Sequence, residues 1–154
     1  MGTRFRLTLA QLNPTAGAIE ANADRAFAAW EQGRDAGADM VALTEMFITG
    51  YQVQDMVMKP AFSSHAMRAI EDLARRCADG PALGVGGPYA FGTELYNAYY
   101  ILPGGKVTAR VFKHDLPNET VFDEVRLFDA GPIGGPYRVG PLRIGTPICE
   151  DAWH

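Results

Sequence analysis

The feature that most constrains the fold is an alternation of hydrophobic period along the first half of the chain. "RFRLTLAQLN" sets Phe5, Leu7 and Leu9 on one face, with Leu12 closing the run, and predicts a strand. Residues 18–36 then carry Ile19, Ala23, Ala26, Phe27 and Trp30 at helical spacing, with Gly37 as the stop. "ADMVALTE" predicts a short buried strand. From Pro60 to Cys77 the stripe Phe62, Ala66, Ile70, Leu73, Cys77 predicts a second helix, with Glu71, Asp72, Arg75 and Arg76 mostly outside the stripe. Further on, "ALGVGGPYAF" reads as a glycine-rich strand. "LYNAYYILPGGKVTARVF" reads as a hairpin turning at Pro103-Gly104-Gly105, and "PYRVGPLRIGTPIC" as a second one turning at Gly140-Pro141. Strand, helix, strand, helix and then meandering strands predict an α/β fold with a mixed sheet. Helices on one face of such a sheet leave an apolar second face that something else must cover.

The 154 residues suit a single domain of ordinary size, without internal repeats or low-complexity linkers. A net charge of −4 argues against nucleic acid or an anionic membrane as partner, since both select a basic excess. No apolar run reaches transmembrane length, and the N-terminus is too polar for a secretory signal. Arg6 stands where a myristoylation signal wants Ser or Thr. Two distant cysteines, Cys77 and Cys149, make neither a disulfide framework nor a metal cluster. The expected setting is the reducing cytoplasm.

Three polar groups stand where a strand runs out, which is where α/β folds build sites. Glu45 follows a buried strand; partial burial there would suit a carboxylate to general-base work. The ordinary alternative is a strand-end glutamate facing water. Lys113 ends a hairpin strand and precedes a proline-containing loop. Its ammonium could donate to a developing oxyanion, although lysines are common beside edge strands for purely structural reasons. Cys149 ends an apolar run and is followed at once by Glu150 and Asp151. A thiol needs help to become a thiolate at neutral pH, and a turn there into a helix N-terminus with a neighbouring ammonium would supply it, expose the thiol, and turn the backbone N–H of Glu150 toward an oxyanion. Most free cysteines are simply small buried hydrophobes, a reading that suits Cys77 better than Cys149. Taken together, Glu45, Lys113 and Cys149 supply a base, an electrostatic stabiliser and a nucleophile for amide hydrolysis.

The blocks "TEMFITGY", "FKHDLPNETVFDEVRLF" and "PICEDAW" resemble the signature blocks of the nitrilase (carbon–nitrogen hydrolase) superfamily. Lys-x-x-Leu-Pro-Asn, then Val-Phe-Asp-Glu, then Cys-Glu-Asp-x-Trp most resembles the glutaminase domains of glutamine-dependent NAD⁺ synthetases. The resemblance runs from Phe5 to His154. It implies an αββα sandwich, with Glu45 as general base, Lys113 stabilising the tetrahedral intermediate, and Cys149 attacking a glutamine side-chain amide to release ammonia. Glu124 matches a second glutamate that holds the lysine or orients the substrate. In that family the ammonia passes to a separate synthetase domain, which uses ATP and Mg²⁺; no cofactor is expected in the present segment.

Two departures from the family pattern stand out. Glu119 occupies the position where these synthetases usually carry a substrate-lining tyrosine, and would pair with the substrate's α-ammonium or mark a changed specificity. The chain also ends five residues after Cys149, so residues 1–154 are expected to form part of one domain. An incomplete sandwich predicts an exposed apolar face and a homo-oligomer. A stand-alone amidase or carbamoyl-amide hydrolase with the same chemistry remains an alternative. A Cys–His hydrolase using His65, His114 or His154 is a weaker one, because no Asn or Asp stands ready to orient the imidazole. A non-enzymatic interaction piece is a third.

Overall fold

The computed structural model describes residues 4–153, so the reading of the Met-Gly terminus and that of His154 fall outside the described residues. The described residues form seven strands and three α-helices: β1 (Leu7–Leu9), α1 (Ile19–Asp35), β2 (Met40–Ala42), α2 (Pro60–Arg76), β3 (Ala82–Phe91), β4 (Glu94–Leu102), β5 (Ala109–Phe112), α3 (Glu124–Leu127), β6 (Tyr137–Val139) and β7 (Leu142–Ile144). β1 to β5 form one sheet in chain order. β1–β2 and β2–β3 are parallel, and β3–β4 and β4–β5 antiparallel, so the sheet is mixed as the sequence predicts.

Each long helix forms where the sequence puts it. α1 ends as Gly37 takes φ +71° and its N–H reaches the Arg34 carbonyl. α2 begins with Pro60 at its first position, where a missing N–H costs nothing. Trp30 anchors α1 to the sheet, donating its indole N–H to the Pro81 carbonyl at 2.8 Å. Strand alternation divides the sheet's side chains. Val41, Leu83, Val85, Ala98, Tyr100 and Leu102 pack under the helices with Ile70, Leu73 and Cys77. Burying an Ile or Leu of this kind stabilises the fold by about 2 kcal/mol.

The opposite face carries Met40, Ala82, Tyr99 and Ile101. It is covered in part by the β6–β7 hairpin, through Tyr137, Val139 and Ile144, and by Ile148. The expectation of a bare second face therefore holds only toward the β1 edge. There Leu7 pairs in register with Met40 and Leu9 with Ala42, yet the two leucines are 48% and 73% exposed.

The glycines of β3 have a specific use. A Cβ on Gly86 would stand 2.2 Å from the Met46 nitrogen and 2.7 Å from both the Glu45 carbonyl carbon and the Thr44 oxygen. Only glycine admits the Glu45 turn against the strand, where the Gly86 N–H donates to Thr44 O and the Ile48 N–H to Gly86 O.

Candidate active site

Glu45, Lys113 and Glu124 come from three separated segments and meet in one buried cluster. Lys113 follows β5 with its side chain fully buried, its Nζ 2.8 Å from Glu45 Oε1. The same ammonium lies 3.0 Å from Glu124 Oε1 and 2.9 Å from Glu124 Oε2; alignment for a hydrogen bond is met only at Oε1. Burial alone would push the Lys113 ammonium's pKa down. The hydrogen bond and charge of Glu45, then those of Glu124, outweigh that and hold it above the ordinary lysine value.

Two carboxylates against one ammonium leave an excess negative charge, and two neutral donors offset it. Asn97 on β4, fully buried, donates Nδ2–H to Glu45 Oε1 at 2.7 Å. Tyr51 donates its hydroxyl to Glu124 Oε1 at 2.6 Å; desolvation first, and that bond second, push the phenol's pKa upward. Neither residue was identified from the sequence. Tyr51 closes the Glu45 block, and Asn97 sits in the hairpin strand on the same alternating face as Tyr99 and Ile101, which is the signal that could have found it.

Cys149 opens a single 3-10 turn, Cys149–Ala152, at φ +48°, a left-handed conformation unusual for a non-glycine residue. The turn exposes the thiol, as the sequence suggested, whereas Cys77 is fully buried with its pKa pushed up to about 12 by desolvation. The balance of fields on Cys149 departs from expectation. Partial desolvation raises its pKa and the Glu45 charge raises it further. Lys113 and a hydrogen bond from the Glu150 backbone pull the other way without reversing the shift. Lys113 therefore does not bring the thiol below its ordinary value, because desolvation, and then the Glu45 and Glu124 charges, oppose its field.

Asp151 ties the thiol turn to the lysine segment. Its Oδ1 accepts the backbone N–H groups of His114 and Asp115 at 3.0 and 2.8 Å, and its Oδ2 that of Ile148 at 3.1 Å. Neither of the two described histidines turns its imidazole to the cluster. His114 directs Nδ1 at the Gly131 carbonyl, and His65 pairs with Glu20 on α1. Glu119 stands apart from the cluster; it is exposed, and lines an open groove of about 580 Å³ with Asp115, Asn118 and Glu150. Among the described residues no group of three or more His, Cys, Asp or Glu side chains is placed to hold a metal ion, and no helix is long and apolar enough to cross a membrane.

The chain has counterparts among known proteins. The carbon-nitrogen hydrolase family model matches residues 6–154. The chain is 61% identical over its whole length to the glutamine-dependent NAD(+) synthetase of Rhodobacter capsulatus, covering 28% of that protein. It superposes on the glutamine-dependent NAD+ synthetase of Acinetobacter baumannii, solved with ADP, at a TM-score of 0.91 and 27% identity, over 97% of this chain and 28% of that one. An amidase from Nesterenkonia sp. shares the fold at a TM-score of 0.71 and 21% identity, over 88% of this chain and 51% of that one. The chain thus spans a little over a quarter of the length of the synthetases it matches.

Proposed function

The chain belongs to the carbon–nitrogen hydrolase family, and from that premise we propose that it carries the catalytic groups of a thiol amidase that hydrolyses the side-chain amide of glutamine. The observation that carries this reading is the buried Lys113 ammonium, clamped by Glu45 and Glu124, in the electrostatic neighbourhood of an exposed Cys149. Glu45 takes the thiol proton as Sγ attacks the amide carbon. The charge that develops on the amide oxygen is met by Lys113 and by the Glu150 backbone N–H, which bonds the sulfur at rest and passes to the oxyanion as sulfur bonds carbon. The C–N bond breaks, the proton held on Glu45 goes to the departing nitrogen, and ammonia leaves a thioester. Water, deprotonated by Glu45, then releases glutamate and restores the thiol.

A thiol that is protonated at rest fits this sequence of steps, since the base removes its proton only as attack proceeds. The likeness to glutamine-dependent NAD⁺ synthetases supports the further reading that the ammonia serves ATP-dependent amidation of deamido-NAD in a synthetase domain. On that reading residues 1–154 are part of one glutaminase domain, the protein works in the cytoplasm, and ATP and Mg²⁺ belong to the synthetase domain. In the full-length gene product, Cys149→Ala should abolish glutamine-dependent synthesis and leave ammonia-dependent synthesis intact. Loss of both would count against ammonia transfer as the role of this segment. Glu119, acidic and exposed at the groove, favours one second reading, an amidase with another amide substrate. Hydrolysis of simple amides in preference to glutamine would decide for it.

A further inference from the structure

We propose that the two oxygens of Glu45 have separate duties, and that Asn97 is the positioning residue that separates them. This rests on the amidase reading above. Asn97 Nδ2 and Lys113 Nζ both reach Oε1, at 2.7 and 2.8 Å. Among the described residues no hydrogen bond goes to Oε2, which leaves it the oxygen to accept the proton. A carboxylate held at one oxygen by two donors cannot rotate about its last bond, so Oε2 keeps one direction throughout the reaction. Asn97 suits the task because it is rigidly placed. Its residue is fully buried on β4, paired in register with Pro88, and its own carbonyl accepts the Lys113 N–H at 2.9 Å. One residue therefore ties the base to the backbone that carries the lysine, by its side chain to Glu45 and by its backbone carbonyl to the Lys113 N–H. A side-chain substitution removes the first link and leaves the second.

Charged and titratable groups press on Glu45 from several sides: Lys113 after β5, Glu124 on α3, Tyr51 in the loop after the Glu45 turn, and Cys149 on the thiol turn. Asn97, the other contact of Glu45, does not titrate. Losing its donor removes a hydrogen bond that stabilises the charged carboxylate.

The test uses Asn97→Ser and the near-isosteric Asn97→Asp in the full-length protein, with glutamine hydrolysis followed from pH 5 to 9. The acid limb of kcat/KM should move upward by about one pH unit, further for Asp than for Ser, and kcat should fall about tenfold or more with KM changed less than threefold. A wild-type acid limb in a folded variant overturns the proposal, whatever the fall in rate, because a merely structural defect would leave the limb in place. Glu45→Gln separates the two readings. Full hydrolysis by Glu45→Gln sinks the amidase reading itself. An inactive Glu45→Gln beside Asn97 variants of unchanged pH profile sinks only the role of Asn97. If both Asn97 variants fail to fold, a structure of the unmodified protein with Cys149 acylated decides: water bonded to Oε2 supports the proposal, and water bonded to Oε1 overturns it.

Discussion

Lys113 and Glu124 form an ion pair at 2.9 Å in which neither side chain is more than 3% exposed. Such a pair is costly to form and costlier to break, because removing one partner strands the other in a poorly solvated site. Here the ammonium also faces Glu45, so its loss strands two carboxylates. Lys113→Met should therefore destabilise the protein by about 3–5 kcal/mol in denaturant titration and lower amide hydrolysis by about 100- to 1,000-fold. The pH dependence has a definite sign. Lys113 binds its proton more tightly folded than unfolded, so its stabilisation is fully present below the unfolded value, near pH 10.4, and fades as pH rises through the folded one. The wild type should lose stability on that alkaline side and Lys113→Met should not.

Gly86 has no room for a methyl group. Gly86→Ala would drive its Cβ into the backbone of Thr44, Glu45 and Met46. Backbone cannot swing aside as a side chain does, so the turn bearing the base must shift. We expect a loss of about 2–3 kcal/mol, in the range of overpacked sites, with kcat falling more than KM rises. An alanine variant of wild-type melting temperature and full activity would refute the fit described for this strand.

Much of this architecture can be read from the sequence, and the unread part has a common cause. The helix stripes and the two turns at Gly104-Gly105 and Gly140-Pro141 are local patterns, and the structure follows them. The cluster of Glu45, Lys113 and Glu124 was legible through its flanking blocks. Asn97 and Tyr51 were not: alternation tells which face Asn97 occupies, but its role, like that of Tyr51, is defined only by the partner it meets across the fold. The direction of the shift on Cys149 was missed for the same reason. Lys113 pulls it down, but the burial of the thiol and the two glutamates that oppose that field come from other segments.

Cys149 should be the thiol that reacts first with iodoacetamide, since Cys77 is fully buried and its thiol is pushed up to about 12. Its rate at pH 7.5 should nevertheless stay below that of a free cysteine, because the site raises the thiol. Glu45→Gln removes a neighbouring negative charge and so favours the thiolate. Alkylation of Cys149 in that variant should speed up while amide hydrolysis collapses. Mass-spectrometric labelling rates for the two cysteines provide the check; slower alkylation in Glu45→Gln would mean that the Glu45 charge does not govern the thiol.

Asp151 holds three backbone N–H groups from the two segments that carry Lys113 and Cys149. Asp151→Ala leaves those donors without their carboxylate, and should cost about 2–3 kcal/mol on the scale of unsatisfied and charge-assisted hydrogen bonds. The thiol turn should loosen with it. Hydrogen exchange should quicken at Asp115 and Ile148, and hydrolysis should fall in kcat while α1 and α2 keep their protection. Unchanged exchange at those two amides would show that other contacts hold the turn.

The β1 edge bears on the state of the 154-residue chain in solution. Leu7 and Leu9 point to the same side of the sheet as Met40, yet lie beyond the reach of the β6–β7 cover, and β1 itself is an edge strand only three residues long. An apolar sheet margin beside an unpaired edge favours association with another copy. Expressed as these 154 residues, the chain should self-associate at micromolar concentration in sedimentation velocity. Leu9→Lys, at 73% exposure, places a charge on that margin without opening a cavity. It should shift the distribution toward monomer while changing stability by no more than about 0.5 kcal/mol. A monodisperse wild-type monomer with a sharp cooperative melt would contradict this, since the margin would then be tolerated in water as it stands.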